Sequence, residues 1–174
     1  VTSALKRKRL HLICFNYYQI RDDGVFKIHL KEPSINNITT SLVSPSVWKF
    51  FIKRKLLVVN NILPIIGIDY SEDHLLMARL VGKAQTVRFL SNSFLYYYNC
   101  TNQNSYVNNI SLKSIESYAR DGIAVFDFYE DQNLSGTYKN ALVYMLCARI
   151  FKLSQLDHNH ILMSQLIKRV VLLG

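Results

Sequence analysis

The 174-residue sequence predicts an α/β fold, a Rossmann-like parallel sheet flanked by helices, with a basic N-terminal extension. Three observations carry that expectation. Short apolar runs at 62–69 and 123–128 have the length and bounds of buried parallel-sheet strands. Neighbouring segments at 73–80, 111–120 and 157–171 repeat apolar residues at helical spacing, so strands and helices alternate. The composition is 49% apolar with no run near bilayer-spanning length, and a chain of this size buries a core without disulfides or a metal.

Residues 1–20 are read as a basic N-terminal arm and first strand, and residues 21–174 as a single α/β domain. The segments 11–20 and 25–31 flank Arg21-Asp22-Asp23-Gly24, a turn signal in which Gly24 supplies the permissive backbone of a hairpin. Ser44 before Pro45 predicts a helix start, with Val47, Phe50 and Phe51 on one face and Lys49 and Lys53 near the other. The run 62–69 is expected to be a strand ending in Gly67-Ile68-Asp69. Ser71-Glu72-Asp73 then starts a helix through Leu75, Leu76 and Leu80. Two further strands are expected at 86–90 and 94–98. Leu112, Ile115 and Ala119 predict a helix that Asp121-Gly122 ends, and 123–128 returns as a strand. Residues 141–152 are apolar around most of a helical circumference. A last helix carries Met163, Leu166, Ile167, Val170 and Val171.

The net charge of +9 is unevenly placed. Residues 1–60 hold 11 basic and 3 acidic side chains, whereas residues 61–174 hold 10 and 9. Two clusters dominate: Lys6, Arg7, Lys8 and Arg9, and Lys49, Lys53, Arg54 and Lys55. Such clusters suit a polyanion, and both are candidate RNA-binding residues. The second is expected to crowd the end of a helix, where cations oppose the negative end of the dipole.

Catalytic chemistry is poorly represented. There is no Gly-x-Gly-x-x-Gly and no Gly-Lys-Ser/Thr, and Ser91, Ser93 and Ser135 lack a Gly-x-Ser-x-Gly context, so no catalytic residue and no cofactor is assigned. Asp69 at a strand end, the acidic group Asp127, Glu130 and Asp131, and the pair His158 and His160 have types that bind metals, yet none has an accompanying ligand set, and no metal is expected. Tyr96, Tyr97 and Tyr98 fall in an expected strand, where alternate rings face opposite sides; core packing outweighs base stacking for them. Cys14, Cys100 and Cys147 are odd in number and far apart, which argues for a reducing compartment.

The order of these pieces resembles the family of small-ribosomal-subunit protein two. Arg21-Asp22-Asp23-Gly24-Val25-Phe26-Lys27-Ile28-His29-Leu30-Lys31, then Trp48-Lys49-Phe50-Phe51-Ile52, then Leu63-Pro64-Ile65-Ile66-Gly67-Ile68-Asp69 follow its early segments. Glu116-Ser117-Tyr118-Ala119-Arg120-Asp121-Gly122-Ile123-Ala124-Val125-Phe126-Asp127-Phe128 is similar to its helix leading into a Gly-Ile-rich strand, and Leu134-Ser135-Gly136-Thr137 to the turn before its closing helix. The likeness covers residues 21–152; the family's early Gly-His-Phe-Gly-His-like segment and the helical hairpin of bacterial members have no counterpart. It implies a non-catalytic structural constituent of a small ribosomal subunit, in a mitochondrial setting. The implied partners are ribosomal RNA and neighbouring small-subunit proteins, with no membrane and no small-molecule substrate.

Two other readings compete. In an actin-like or ribonuclease-H-like module binding nucleotide or metal, 65–71, 75–80 and 85–90 would be antiparallel strands. A structural subunit of an organellar or viral complex would make no RNA contact. Replacing Lys6, Arg7, Lys8 and Arg9 with Ala is expected to weaken RNA binding about uniformly across sequences and to flatten its salt dependence. Binding measured over a salt series checks this, and an unchanged slope would exclude the arm from the interface.

Overall fold

Strand β1 (Leu12–Arg21) is the centre of a four-stranded mixed sheet in this computed structural model, which describes residues 10–30, 46–64, 66–105, 108–156 and 160–174. β2 (Gly24–Ile28) folds back on it as an antiparallel hairpin, from Arg21 opposite Gly24 to Tyr17 opposite Ile28. Gly24 has φ +141°, a conformation other residues rarely adopt, so the expected hairpin turn is present. β3 (Phe50–Ile52) pairs antiparallel with Leu12, Ile13 and Cys14. β4 (Val87–Asn99) runs parallel along the whole of β1. Since β4 spans the full length of one edge of β1, β2 and β3 share successive lengths of the other.

The Rossmann-like parallel sheet is therefore corrected: the protein is α/β, but two of its three described pairings are antiparallel. The segments 86–90 and 94–98 are one strand rather than two. Its register against β1 shifts between Phe15 and Asn16 and again between Asn16 and Tyr18, so Ser91, Asn92 and Ser93 bulge out of the ladder. Buried Asn16 repairs the interruption. Its amide donates to the Ser91 carbonyl, and its Oδ1 accepts from the Leu30 N–H at 2.9 Å.

A short 3-10 turn, Val47–Lys49, precedes β3, and α1 (Arg54–Val59) follows it, so the helix expected to begin at Ser44-Pro45 does not run through Trp48 to Ile52. Residues 62–64 and 66–69 form turns and irregular backbone in place of the expected strand. α2 (Asp73–Lys83) occupies the segment 75–80 that the actin-like reading requires to be a strand, so that strand is corrected to a helix. α3 (Leu112–Asp131), α4 (Lys139–Leu153) and α5 (His160–Leu172) complete a helical layer.

The largest departure is at α3. A capping box opens it: Ser111 Oγ accepts from the Ser114 N–H at 3.1 Å, and Ser114 Oγ accepts from the Ser111 N–H at 3.4 Å. The helix then continues through Asp121-Gly122 and through the expected strand 123–128. Ser114, Ser117, Asp121, Val125 and Tyr129 recur every three to four residues on its buried side, so the apolar run 123–128 extends a helical stripe. Gly122 is a packing device: a Cβ there would lie 2.0 Å from Arg149 Cδ of α4.

Arg149 and Asp121 form a buried ion pair, with Nη2 to Oδ2 at 2.6 Å and side chains 1% and 0% exposed. The guanidinium also donates to the carbonyls of Tyr118 at 3.0 Å and Met145 at 3.1 Å, and it stacks 4.1 Å from the Tyr118 ring centroid. From α2, His74 Nδ1 approaches the same Asp121 Oδ2 at 3.3 Å. Around this polar centre pack Leu80, Val125, Leu142, Leu146 and Leu166, and the core reaches the sheet through Leu12 with Phe50, Ile52 and Val87.

Removing one partner of such a pair leaves a buried charge uncompensated. Arg149→Met is expected to cost about 3–5 kcal/mol, and Gly122→Ala about 1–3 kcal/mol despite the better helix propensity of alanine. Denaturant unfolding checks both, and the double variant Asp121→Leu/Arg149→Met should recover most of the loss.

Candidate nucleic-acid interface

The basic residues of the described sheet edge are brought together by the crossover from β1 to β4. At its end the chain is clamped to the start of β1: Leu12 N–H donates to the Thr86 carbonyl at 3.2 Å, His11 N–H to Thr86 Oγ1 at 3.1 Å, and Gln85 N–H to His11 Nδ1 at 3.0 Å. An acceptor role for Nδ1 leaves the proton of the neutral ring on Nε2. On the other side of β1, Lys53 N–H donates to the His11 carbonyl at 3.0 Å. The last turn of α2 and the first turn of α1 consequently meet beside His11.

Between them lies a cleft of about 330 Å³ lined by Lys53, Lys55, Lys83 and His11, with Asn60 and Gln85 as neutral donors. Among the described residues that line it, none is acidic. Arg54 and Lys55 are exposed and lie in the first turn of α1, which holds no acidic residue. This corrects the expected dipole argument: they sit at the positive end of a helix, where cations are disfavoured.

Lys49 lies elsewhere. It is buried at the end of the 3-10 turn, its Nζ 5.2 Å from the Trp48 ring centroid and 5.6 Å from that of Tyr17. Burial lowers its pKa below the ordinary lysine value, opposed by the nearby Cys14 thiol and Asp73. Lys49 is thus separated from Lys53, Arg54 and Lys55 by what its side chain does, although it is close to them in sequence. Lys6, Arg7, Lys8 and Arg9 lie outside the described residues, as does His158.

The tyrosines alternate as expected. Tyr96 and Tyr98 stack on Trp48, with centroids 4.6 and 5.1 Å apart, whereas Tyr97 stacks on Tyr18 at 4.6 Å on the opposite face. Each of these rings already has an aromatic partner within the protein. Among the acids, Asp127 receives both Nε and Nη2 of Arg169 at 2.8 Å, and Asp69 pairs with Lys113 at 2.7 Å. Among the described residues, no group of three or more His, Cys, Asp or Glu is placed to hold a metal ion.

Lys83 is the member of the cleft that sequence reading missed. It stands alone, 28 positions beyond Lys55, and only the parallel crossover places it beside the other cations. It lies in the last turn of α2, three residues beyond the expected extent of that helix, and nothing local announces its neighbours. Comparison with protein-family models, curated proteins and solved structures finds no significant match to this chain.

The burial of Lys49 has a pH signature. A lysine with a depressed folded pKa is deprotonated by the fold first, so between that value and the ordinary lysine value the unfolded chain holds more protons. Its contribution to stability therefore rises with pH through that window. Cys14 opposes it, because burial pushes its thiol up to about 11 from the model-compound value 9.0, so its contribution falls as pH rises over that interval. Lys49→Met is expected to remove the rising part and leave the falling part, which unfolding measured between pH 8 and pH 11 checks.

Proposed function

We propose that the protein is a non-catalytic structural constituent of a small ribosomal subunit in mitochondria, binding ribosomal RNA through basic N-terminal elements and the cleft they build with α2. The observation that carries RNA binding is the concentration of Lys53, Lys55 and Lys83, with exposed Arg54 between the first two in sequence, around a cleft with no acid among the described residues that line it. Arg54 and Lys55 also stand where their own helix disfavours positive charge, at a cost of a few tenths of a kcal/mol each. A phosphate backbone offsets that cost by counterion release and needs no base-specific geometry.

The ribosomal setting rests on the sequence resemblance over residues 21–152, and that resemblance contributes no site. In place of its expected strands, 62–64 and 66–69 are turn and irregular backbone and 123–128 is helix. The non-RNA structural subunit differs from this reading in one property: its association would show no steep salt dependence.

The variant Lys53→Ala/Arg54→Ala/Lys55→Ala/Lys83→Ala is expected to keep its fold, since Lys53 is only half-buried and substitutions at exposed positions such as the other three usually change stability within about 0.5 kcal/mol. Its RNA affinity should fall, and the slope of log affinity against log salt should flatten by up to roughly three. Native protein should sediment with small ribosomal subunits at low salt and leave them at high salt. Free protein at low salt overturns the ribosomal setting, and an unchanged salt slope overturns the cleft.

A further inference from the structure

At the N-terminal end of α2, away from the cationic cleft, the protein carries a second cavity of about 440 Å³ and opposite charge. Its walls are aromatic: Trp48 over the sheet, Tyr98 from β4, Tyr70 from the loop before α2, and Tyr118 from α3. Three carboxylates, Asp69, Glu72 and Asp73, line it as well, Asp69 being paired with Lys113, against Lys152 and His74 on the basic side. The volume falls in the range of small-molecule sites.

The walls are held from behind. Ser117 Oγ accepts the Tyr70 N–H at 2.9 Å and donates to the Tyr70 carbonyl at 3.2 Å, which fixes the loop on α3. Asp73 Oδ2 accepts the Val47 N–H at 3.1 Å, which fixes the turn bearing Trp48 on α2. Beneath His74, Asp121 is fully buried and, although its charge is paired with Arg149, its Oδ1 has no hydrogen-bond partner.

We propose that this cavity binds a protonated aliphatic amine, its ammonium group on Glu72 and Asp73 and its methylene chain along Trp48, Tyr98 and Tyr118. The aromatic walls offer apolar surface to the methylene chain, and carboxylates accept hydrogen bonds from a primary ammonium. An anion meets three carboxylates. A bare metal ion is disfavoured because the acids are not gathered as a ligand set among the described residues. Burial raises the carboxyls of Glu72 and Asp73; at Asp73 the Val47 N–H, His74 and Lys49 oppose the rise, whereas at Glu72 the neighbouring carboxylates Asp73, Asp121 and Asp69 add to it. A bound cation relieves that repulsion.

The inference is independent of RNA binding and is tested without RNA. Titration calorimetry of the full chain with spermidine at fixed ionic strength should show one saturable site. Glu72→Gln should weaken it roughly tenfold or more, the scale of a lost charge-assisted hydrogen bond. Asp69→Asn should weaken it in the same direction, and Asp131→Asn, an exposed carboxylate outside the cavity, should leave it unchanged. Circular dichroism of each variant establishes that it is folded. Absence of saturable binding, equal weakening by Asp131→Asn, or undiminished binding by folded Glu72→Gln would overturn the proposal.

Discussion

The buried pair between Asp121 and Arg149 sets the arrangement of the helical layer. Desolvating two charges costs several kcal/mol each, and their attraction offsets this only when geometry and extra hydrogen bonds are good. Arg149 meets that condition with two carbonyl acceptors besides the carboxylate and with the face of Tyr118. The consequences spread outward. Gly122 must lack a side chain so that the arginine stem crosses α3, and α4 must approach closely at that level. His74 is drawn to the same carboxylate, which fixes where α2 begins. An apolar replacement of similar volume would fill the space without specifying which turn of α4 faces which turn of α3.

The sheet solves a different problem, that of one strand serving three partners. β1 carries β3 on its first residues and β2 on its last, and Asn16 stands between the two pairings. There it occupies a gap on both sides: Leu30 beyond the end of β2, and the bulge at Ser91 in β4. A buried asparagine with these backbone partners satisfies groups the interrupted ladder leaves open. An apolar residue at 16 would leave the Leu30 N–H without that acceptor. The bulge also bends β4, and beyond it aromatic rings cover both faces of the strand.

Much of the helical layer was legible in the sequence, because capping and periodicity are local. Asp73 in the first turn of α2, the run that became α4 and the stripe Met163 to Val170 each state their conformation within a few residues. The hairpin at Gly24 was legible for the same reason. The errors share one cause. At Asp121-Gly122 a turn signature is overruled by a partner 27 residues further on, and Ile123 to Phe128 then reads as a strand only because its helical neighbours were taken to have ended. At 62–64 and 66–69 an apolar run has no strand to pair with among the described residues, and apolarity alone does not make one. The parallel pairing of β4 with β1 rests on contacts some 75 positions apart, and no local pattern announces it.

That long crossover also explains why charges of opposite sign collect at the two ends of α2. The helix dipole favours Asp73 in its first turn and Lys83 in its last, each by about 0.3–1 kcal/mol, so one charge at either end has a local origin. The remainder has not. Glu72 adds like charge beside Asp73 in a partly buried cavity, where burial opposes the ionisation of both, while Asp69, which also lines it, is paired with Lys113. Arg54 and Lys55 add positive charge at the start of α1, against its dipole, where an acidic residue would be preferred. Helix stability alone therefore accounts for one member of each group, and Glu72, Arg54 and Lys55 work against the local electrostatics that place it. Charges held at such a cost in an exposed cleft and in an aromatic cavity are the ones that the two proposed ligands, a polyanion at the first and a cation at the second, would stabilise.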